Sequence, residues 1–290
     1  MSKWLKIYKL GFFNIFKLII AYIGDKFIKK ELFKDQQALI HHFNFLVKFD
    51  LDHVSDNKNY YVVQSAKYGK AAIRKYPSSD PVVFQQIFPD GEYNLLADLV
   101  NEKLQPGVIT MIDGGANIGL TSISLCRLLL PHFELHSVLV EPFTTNIEQA
   151  KINIDLQDIK TFSILQAGIH NKTGYLKIDY SFRNQLEWSI RVDESQTPTD
   201  LRSIELLDIM MTNNWSIIDI LKLDIEGSEI YLFASKDYIK DILKHVRLLA
   251  IEIHEEFIEI AYVLNTLYEL GFHLQKHGEL YIGFNKNLIK

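Results

Sequence analysis

Cysteine is almost absent: Cys126 stands alone in 290 residues. That excludes internal disulfides and Cys-type zinc clusters. Cys126 lies among apolar residues of an expected helix, so a buried, inert thiol is the reading it supports. Long hydrophobic runs are missing too. The longest apolar block, at 10–23, is broken by Asn14 and Lys17 and falls short of the roughly 20 residues that a membrane-spanning helix needs. No small-residue cleavage site follows it, which speaks against a signal peptide. Positive charge is outnumbered outside the first 34 residues. There, eight Lys against Asp25 and Glu31 give +6, leaving −11 for the rest out of a total of −5. No basic stripe with interleaved aromatics occurs in that acidic body, so nucleic acid is not an expected partner. A cytoplasmic location is expected.

What remains is an ordinary globular composition, 48% apolar and 23% charged. It suffices for one large domain with an appendage. The basic arm at 1–34 admits two readings. Its aromatics pack on the body or on a second subunit, or it forms an interfacial helix at the cytoplasmic membrane face, with lysines near lipid headgroups and Trp4, Phe12, Phe13 and Phe16 inserted. Apolar residues occur almost all round the segment, so no clean polar face decides between them.

Helix is expected to about residue 50, then two short strands within KNYYVVQSAKYGKAAIRKYP with a turn at Tyr68, Gly69 and Lys70, then a turn, helix and Pro-Gly stop. From Val108 the pattern alternates. Apolar strands fall at 108–112, 137–140, 161–167, 218–223 and 247–253, with helices at about 119–130, 144–155, 228–234 and 256–270. Such alternation means βαβ units in an α/β fold, a mostly parallel sheet with helices on both faces. A long insertion at 168–214 carries a hairpin-like NKTG turn, and FHLQKHGELYIGF pairs two short strands around His277 and Gly278 to close one edge. The divisions are an arm at 1–55, a hairpin and helix lead-in at 56–107, and the main domain at 108–290. Of the histidines, His41, His42, His136 and His245 look like surface residues by context.

The glycine loop is MIDGGANIGLTS, 111–122. A dinucleotide fingerprint sets glycines first, third and sixth, the middle one admitting a pyrophosphate. Here Gly114, Gly115 and Gly119 are first, second and sixth, with Ala116 third. Asp113 just before the loop would oppose a phosphate and attract an amino group or a sulfonium. S-adenosylmethionine (SAM) has both and no phosphate. Glu141 follows Gly119 by 22 residues at the end of the next strand, where an acid accepts hydrogen bonds from ribose hydroxyls. It suits either a nicotinamide cofactor or SAM. A bland alternative, a tight turn with Asp113 as a helix cap, explains the loop but not the distant acid.

In DILKLDIEGSEIYLF, Lys222, Asp224 and Glu226 alternate and share one face of an extended backbone, and Gly227 turns the chain into a helix. Glu252 and His254 share a face at the end of the next strand. Three acids and a histidine thus converge at one rim. A solvated strand end with a salt bridge to Lys222 is the plain alternative, weaker for ionised groups in an otherwise apolar strand. Asp224, Glu226 and His254 are also donors suited to a divalent ion, but their spacing matches no dedicated metal motif and no metal is assigned.

Together these segments resemble the FkbM-type SAM-dependent methyltransferases over about 76–270. The matching pieces are SSDPVVFQQIFPDGEY, MIDGGANIG, LVEP, AGIHNKTG, the expected helix SIELLDIM, LKLDIEGSE and LAIEIH. The resemblance implies a Rossmann-like class I SAM-dependent methyltransferase fold and methyl transfer to oxygen, commonly a hydroxyl of a sugar, glycan or polyketide-type acceptor. Asp113, Gly114, Gly115, Asn117 and Gly119 match its cofactor loop, Glu141 its ribose acid, and Ala167 and Asp224 complete the cofactor side. Two departures occur on the adenine side: Phe143 where a polar turn is expected, and AGIHN after the third strand. Asp224 and Glu226 are expected to orient the acceptor or the cofactor's methionine end, with His254 as general base. Tyr180, Phe182 and Trp188 offer stacking faces to a sugar. The alternatives are a nicotinamide-dependent oxidoreductase and a SAM-binding scaffold without chemistry.

Overall fold

The computed structural model describes residues 34–179 and 191–289, with 8, 10, 15 and 17–19 of the arm. It contains two compact units, Met1–Pro89 and Asp90–Lys290.

In the first unit, α1 (Lys34–Phe49) precedes β1 (Asp52–Asp56), β2 (Tyr60–Ser65), β3 (Gly69–Arg74) and α2 (Asp80–Ile87). The hairpin of β2 and β3 stands where the turn at Gly69 puts it. β1 was not expected, because DHVSD is polar; pairing with β2, not propensity, makes it a strand. Asp80, wholly buried, accepts 2.6 and 3.0 Å bonds from the Arg74 guanidinium and a 2.8 Å bond from the Arg74 N–H. This pins the start of α2, where Pro81 needs no hydrogen-bond partner for its nitrogen. His42 is buried, contrary to its surface reading: its ring stacks on Tyr61 at 3.6 Å and Nε2 lies 3.1 Å from His53 Nδ1. Leu10 and Leu18 of the arm are buried, and Tyr8 and Ile19 are exposed. Trp4, Phe12, Phe13 and Phe16 lie outside the described residues. Among the described residues no helix is long and apolar enough to cross a membrane.

The second unit runs α3 (Asn94–Lys103), β4 (Gly107–Gly114), α4 (Leu120–Leu129), β5 (Phe133–Glu141), α5 (Thr144–Asp155) and β6 (Phe162–Gln166). The insertion adds β7 (Gly168–Ile169), β8 (Tyr175–Asp179), β9 (Arg191–Ser195), β10 (Leu201–Ile204) and α6 (Leu206–Thr212). Then come β11 (Ile218–Leu223), α7 (Glu229–Phe233), α8 (Lys236–Leu243), β12 (Val246–Glu252), α9 (Ile260–Glu269), β13 (Phe272–His277) and β14 (Leu280–Asn285).

Seven strands form the main sheet in the order β13-β14-β12-β11-β4-β5-β6. Only β14 opposes its neighbours. Every residue of β11 is buried, Asp219 and Lys222 included, so both faces of the sheet's centre are covered. Met111, Leu139, Ile220 and Leu248 fill one face. Ile112, Val138, Leu221 and Leu249 fill the other, packed with residues of α6, α8 and α9. Strand order reverses between β4 and β11, the position at which an open α/β sheet leaves a crevice beyond its carboxyl ends.

The insertion forms a second sheet, β7-β10-β8-β9. Its NKTG segment joins β7 to β8, but β10 pairs between them, so the expected hairpin does not form. Ser203 and Ile204, expected as helix, finish β10 before α6 begins. Phe143 packs on Leu176, Val192 and Leu201 of this sheet, which accounts for an aromatic where a polar turn was expected. Tyr180, Phe182 and Trp188 lie outside the described residues.

Candidate active site

Two loops meet at the reversal point. After β4 the chain runs through Gly114 and Gly115, and after β11 through Asp224 to Gly227. Register sets Asp113 beside Lys222 and Gly114 beside Leu223. The Asp224 N–H then donates to the Gly114 carbonyl at 3.1 Å. Gly115 has φ 73, and a Cβ there would collide with the Asp224 carbonyl. Only glycine serves at that contact.

Beneath the loops lies a buried charge cluster. Lys222, 2% exposed, donates a 2.7 Å bond to the Gly115 carbonyl and stands 3.4 Å from Asp113 and 3.6 Å from Asp224. Burial works against its charge, but Asp224 and Asp113 hold its pKa above the usual lysine value. Asp113 is 0% exposed, and its other oxygen accepts a 2.7 Å bond from the Ser122 hydroxyl. The expectation that Asp113 presents its charge to a ligand is therefore corrected. Lys222 and Ser122 absorb that charge, and Asp113 acts by holding Lys222 under the loop. Lys222 in turn is committed to these partners and not offered to a phosphate.

Glu141 ends β5 and is 4% exposed. One of its oxygens accepts a 2.8 Å bond from the Asn117 N–H. The other accepts from the Phe143 N–H at 3.1 Å and Asn146 Nδ2 at 3.2 Å. Burial pushes its pKa up to about 7 against those three donors. A carboxylate has about four acceptor positions, so room is left for about one ribose hydroxyl. Asn117 takes φ 49, and its buried side-chain oxygen has no hydrogen-bond partner. Gly119 caps α4 at φ 78. Ala167 is buried in the core with Val140 and Ile169. A glycine cradle, a buried acid behind it and an unsatisfied amide fit a nucleoside carrying no phosphate.

On the far side, Asp224, Glu226 and Glu252 are partly exposed, and His254 is 4% exposed. Asp224 and Glu226 lie just past β11, so it is the loop, not an extended strand, that brings them together; Glu226 has φ 52, a backbone state held by its surroundings. His254 Nε2 faces Glu226 at 3.5 Å and Glu252 at 3.7 Å, while Nδ1 faces Glu229 at 3.3 Å. Burial opposes a charge on the ring, yet Glu226, Glu229 and Glu252 raise its pKa to about 11. Its expected role as general base is thus corrected: both ring nitrogens face carboxylates. Glu252 is pushed up to about 8, by burial and then by Asp224.

Glu92 and Glu229 were missed in the sequence as members of this group. Burial and the charge of Asp224 push Glu92 up to about 7. Glu229 is 0% exposed and accepts the Ile225 N–H at 3.1 Å. Both stand inside the quoted blocks GEY and LKLDIEGSE, the available signal. Cys126 is half-buried, and burial raises its pKa, which fits an inert thiol.

No curated protein sequence matches the chain. Among solved structures, methyltransferase FkbM from Methylobacillus flagellatus KT is 17% identical, with 62% of this chain and 44% of that one covered and a TM-score of 0.43. A SAM dependent methyltransferase from Aquifex aeolicus is 13% identical, with 67% and 87% covered and a TM-score of 0.37. Precorrin-6y C5,15-methyltransferase from Geobacter metallireducens GS-15 is 11% identical, with 66% and 84% covered and a TM-score of 0.37. The chain spans less than half the length of the first of these. The sheet, with its single antiparallel strand and its crevice at the reversal, is the class I SAM-dependent methyltransferase fold. The model of the methyltransferase FkbM domain matches residues 113–274, from the end of β4 into β13 and over more than half of the sequence: the chain belongs to the FkbM methyltransferase family, and its cofactor is S-adenosylmethionine.

Proposed function

We propose that the chain transfers a methyl group from SAM to a hydroxyl of a sugar, glycan or similar polyhydroxylated acceptor. The observation that carries this reading is the convergence of Asp224, Glu226 and Glu252, three partly exposed carboxylates, beside the glycine loop. Carboxylates so placed accept hydrogen bonds from neighbouring hydroxyls of one acceptor. When bound, SAM supplies an electrophilic methyl on a sulfonium. Transfer of that methyl to the acceptor oxygen would release S-adenosylhomocysteine, and the hydroxyl proton would go to a carboxylate of the protein. Asp224 and Glu226 orient the acceptor in line, the source of most of the rate gain. Glu252 takes the proton, because it is partly exposed and its ion pair with His254 is long at 3.7 Å. His254, enclosed by acids, holds those acids in place.

Membership of the family sets the nicotinamide alternative aside. Incubation with SAM and a panel of sugars, glycans and amines, followed by mass analysis of the products, tests the reading. A methyl ether on a hydroxylated acceptor is the expected product. Transfer to amines alone would overturn it. Absence of any transfer, with binding of S-adenosylhomocysteine (SAH) intact, would instead make the chain a scaffold.

A further inference from the structure

We propose that Asp224, Glu226 and His254 form a binding site for one divalent cation of the Mn²⁺ class. One ligand atom from each residue lies within 4.8 Å of the other two. Oxygen-rich cation sites use bonds of about 2.0–2.6 Å, so one ion fits among the three atoms with little movement. The spacing D-x-E with a histidine 28 residues on belongs to no dedicated motif, and only the meeting of the loops after β11 and β12 assembles it.

A second observation concerns the histidine. His254 is 4% exposed, and its Nδ1 makes no aligned hydrogen bond. Behind it, at 3.3 Å, stands Glu229, itself 0% exposed. A carboxylate behind the far nitrogen is the usual support for a metal-binding imidazole: it fixes one proton on Nδ1, and an ion bound at Nε2 displaces the second proton that the facing carboxylates otherwise hold there. Here Nε2 is the nitrogen that faces Glu226. The surroundings are also short of positive charge. Glu92, Asp224, Glu226, Glu229 and Glu252 gather near Lys222 and His254. A divalent ion would relieve that excess.

Two carboxylates and one imidazole suit a cation between the hard and borderline classes, as Mn²⁺ is, and there is no thiolate to favour a softer one. The site deepens the methyl-transfer reading and rests on it for its use: the ion would polarise the acceptor hydroxyl and lower the cost of losing its proton.

The test is titration of the full chain with MnCl₂, with and without SAH, followed by electron paramagnetic resonance. The expected result is loss of the free Mn²⁺ signal to one equivalent, with nitrogen coupling from one imidazole in the pulsed spectrum. Glu226→Gln and His254→Gln should each weaken binding at least tenfold, and Glu229→Gln about tenfold. Thermal stabilisation by SAH in each variant shows that it is folded. Mn²⁺ left free beside equimolar protein would overturn the site, as would binding without nitrogen coupling that the variants do not change. Failure of the two ideas is separable. SAH stabilisation without Mn²⁺ binding ends the metal site alone, whereas imidazole-coupled Mn²⁺ with no methylated product ends the methyl-transfer reading alone.

Discussion

Asp113 and Lys222 are neighbours across β4 and β11, and their charges meet at 3.4 Å where neither side chain is more than 2% exposed. The pair sits at the switch point of the sheet, directly under the Gly115 carbonyl that Lys222 holds. It joins the folding of the sheet's centre to the shape of the glycine loop.

Lys222→Met should therefore cost more than a surface charge. It leaves Asp113 charged, buried and without its cation, a change that costs about 3–5 kcal/mol. Urea unfolding measures it. Adding Asp113→Asn to Lys222→Met should recover part of the loss, since the stranded charge goes with it. Losses that simply add would show that the two residues are not coupled.

Gly115→Ala tests the contact between the loops. The left-handed φ of 73 costs an L-residue about 1–2 kcal/mol, and the new methyl must also push the Asp224 carbonyl away. Loop separation should abolish most SAH stabilisation while the far-ultraviolet circular dichroism stays as in the wild type. Full SAH stabilisation in this variant would show that the approach of the two loops is not needed for the cofactor.

Much of the sheet could be read from residue order alone. The strands expected at 108–112, 161–167, 218–223 and 247–253 match β4, β6, β11 and β12 within two residues, because each is a largely apolar run, even in β6, which lies at the sheet's edge and is only partly buried. β5 begins four residues before its expected start at 137, because Glu134 and His136 interrupt the run. Helix α8 was missed, although Ser235 caps it by accepting the Tyr238 N–H. That the glycine loop and Glu141 lie side by side was legible, because they end neighbouring strands, and the Asn117 N–H of the loop donates to Glu141. The pairing of Asp113 with Lys222 was not, since those residues are 109 apart in the sequence and meet only through strand register. Glu92 was hidden for the same reason, its charge neighbour being Asp224.

Glu252→Gln separates proton transfer from binding. The amide keeps the shape of the side chain and cannot take the hydroxyl proton. A positioned base contributes about 10²–10⁴-fold, so kcat should fall by that order while SAH affinity and thermal midpoint stay near wild type. A rise in KM with unchanged kcat would make Glu252 a residue that only positions the acceptor.

Glu141 should make cofactor binding depend on pH. Its carboxyl is pushed from 4.5 to about 7 in the folded chain, chiefly by burial. The folded state therefore binds more protons than the unfolded state between those values, and this residue's contribution to stability is present below about 4.5 and lost as pH rises through about 7. Ribose hydroxyls donate, so they prefer the carboxylate, and SAH binding should expel the proton. Affinity for SAH, measured by calorimetry, should rise with pH toward a plateau above 7, by up to about tenfold per unit on the acid side. Buffers of different ionisation enthalpy should reveal the released proton. In Glu141→Gln the slope should vanish and binding should be weak throughout, because an amide offers only one acceptor oxygen. A flat wild-type profile between pH values of about 5 and 8 would mean that the Asn117, Phe143 and Asn146 donors already keep Glu141 ionised in the free protein.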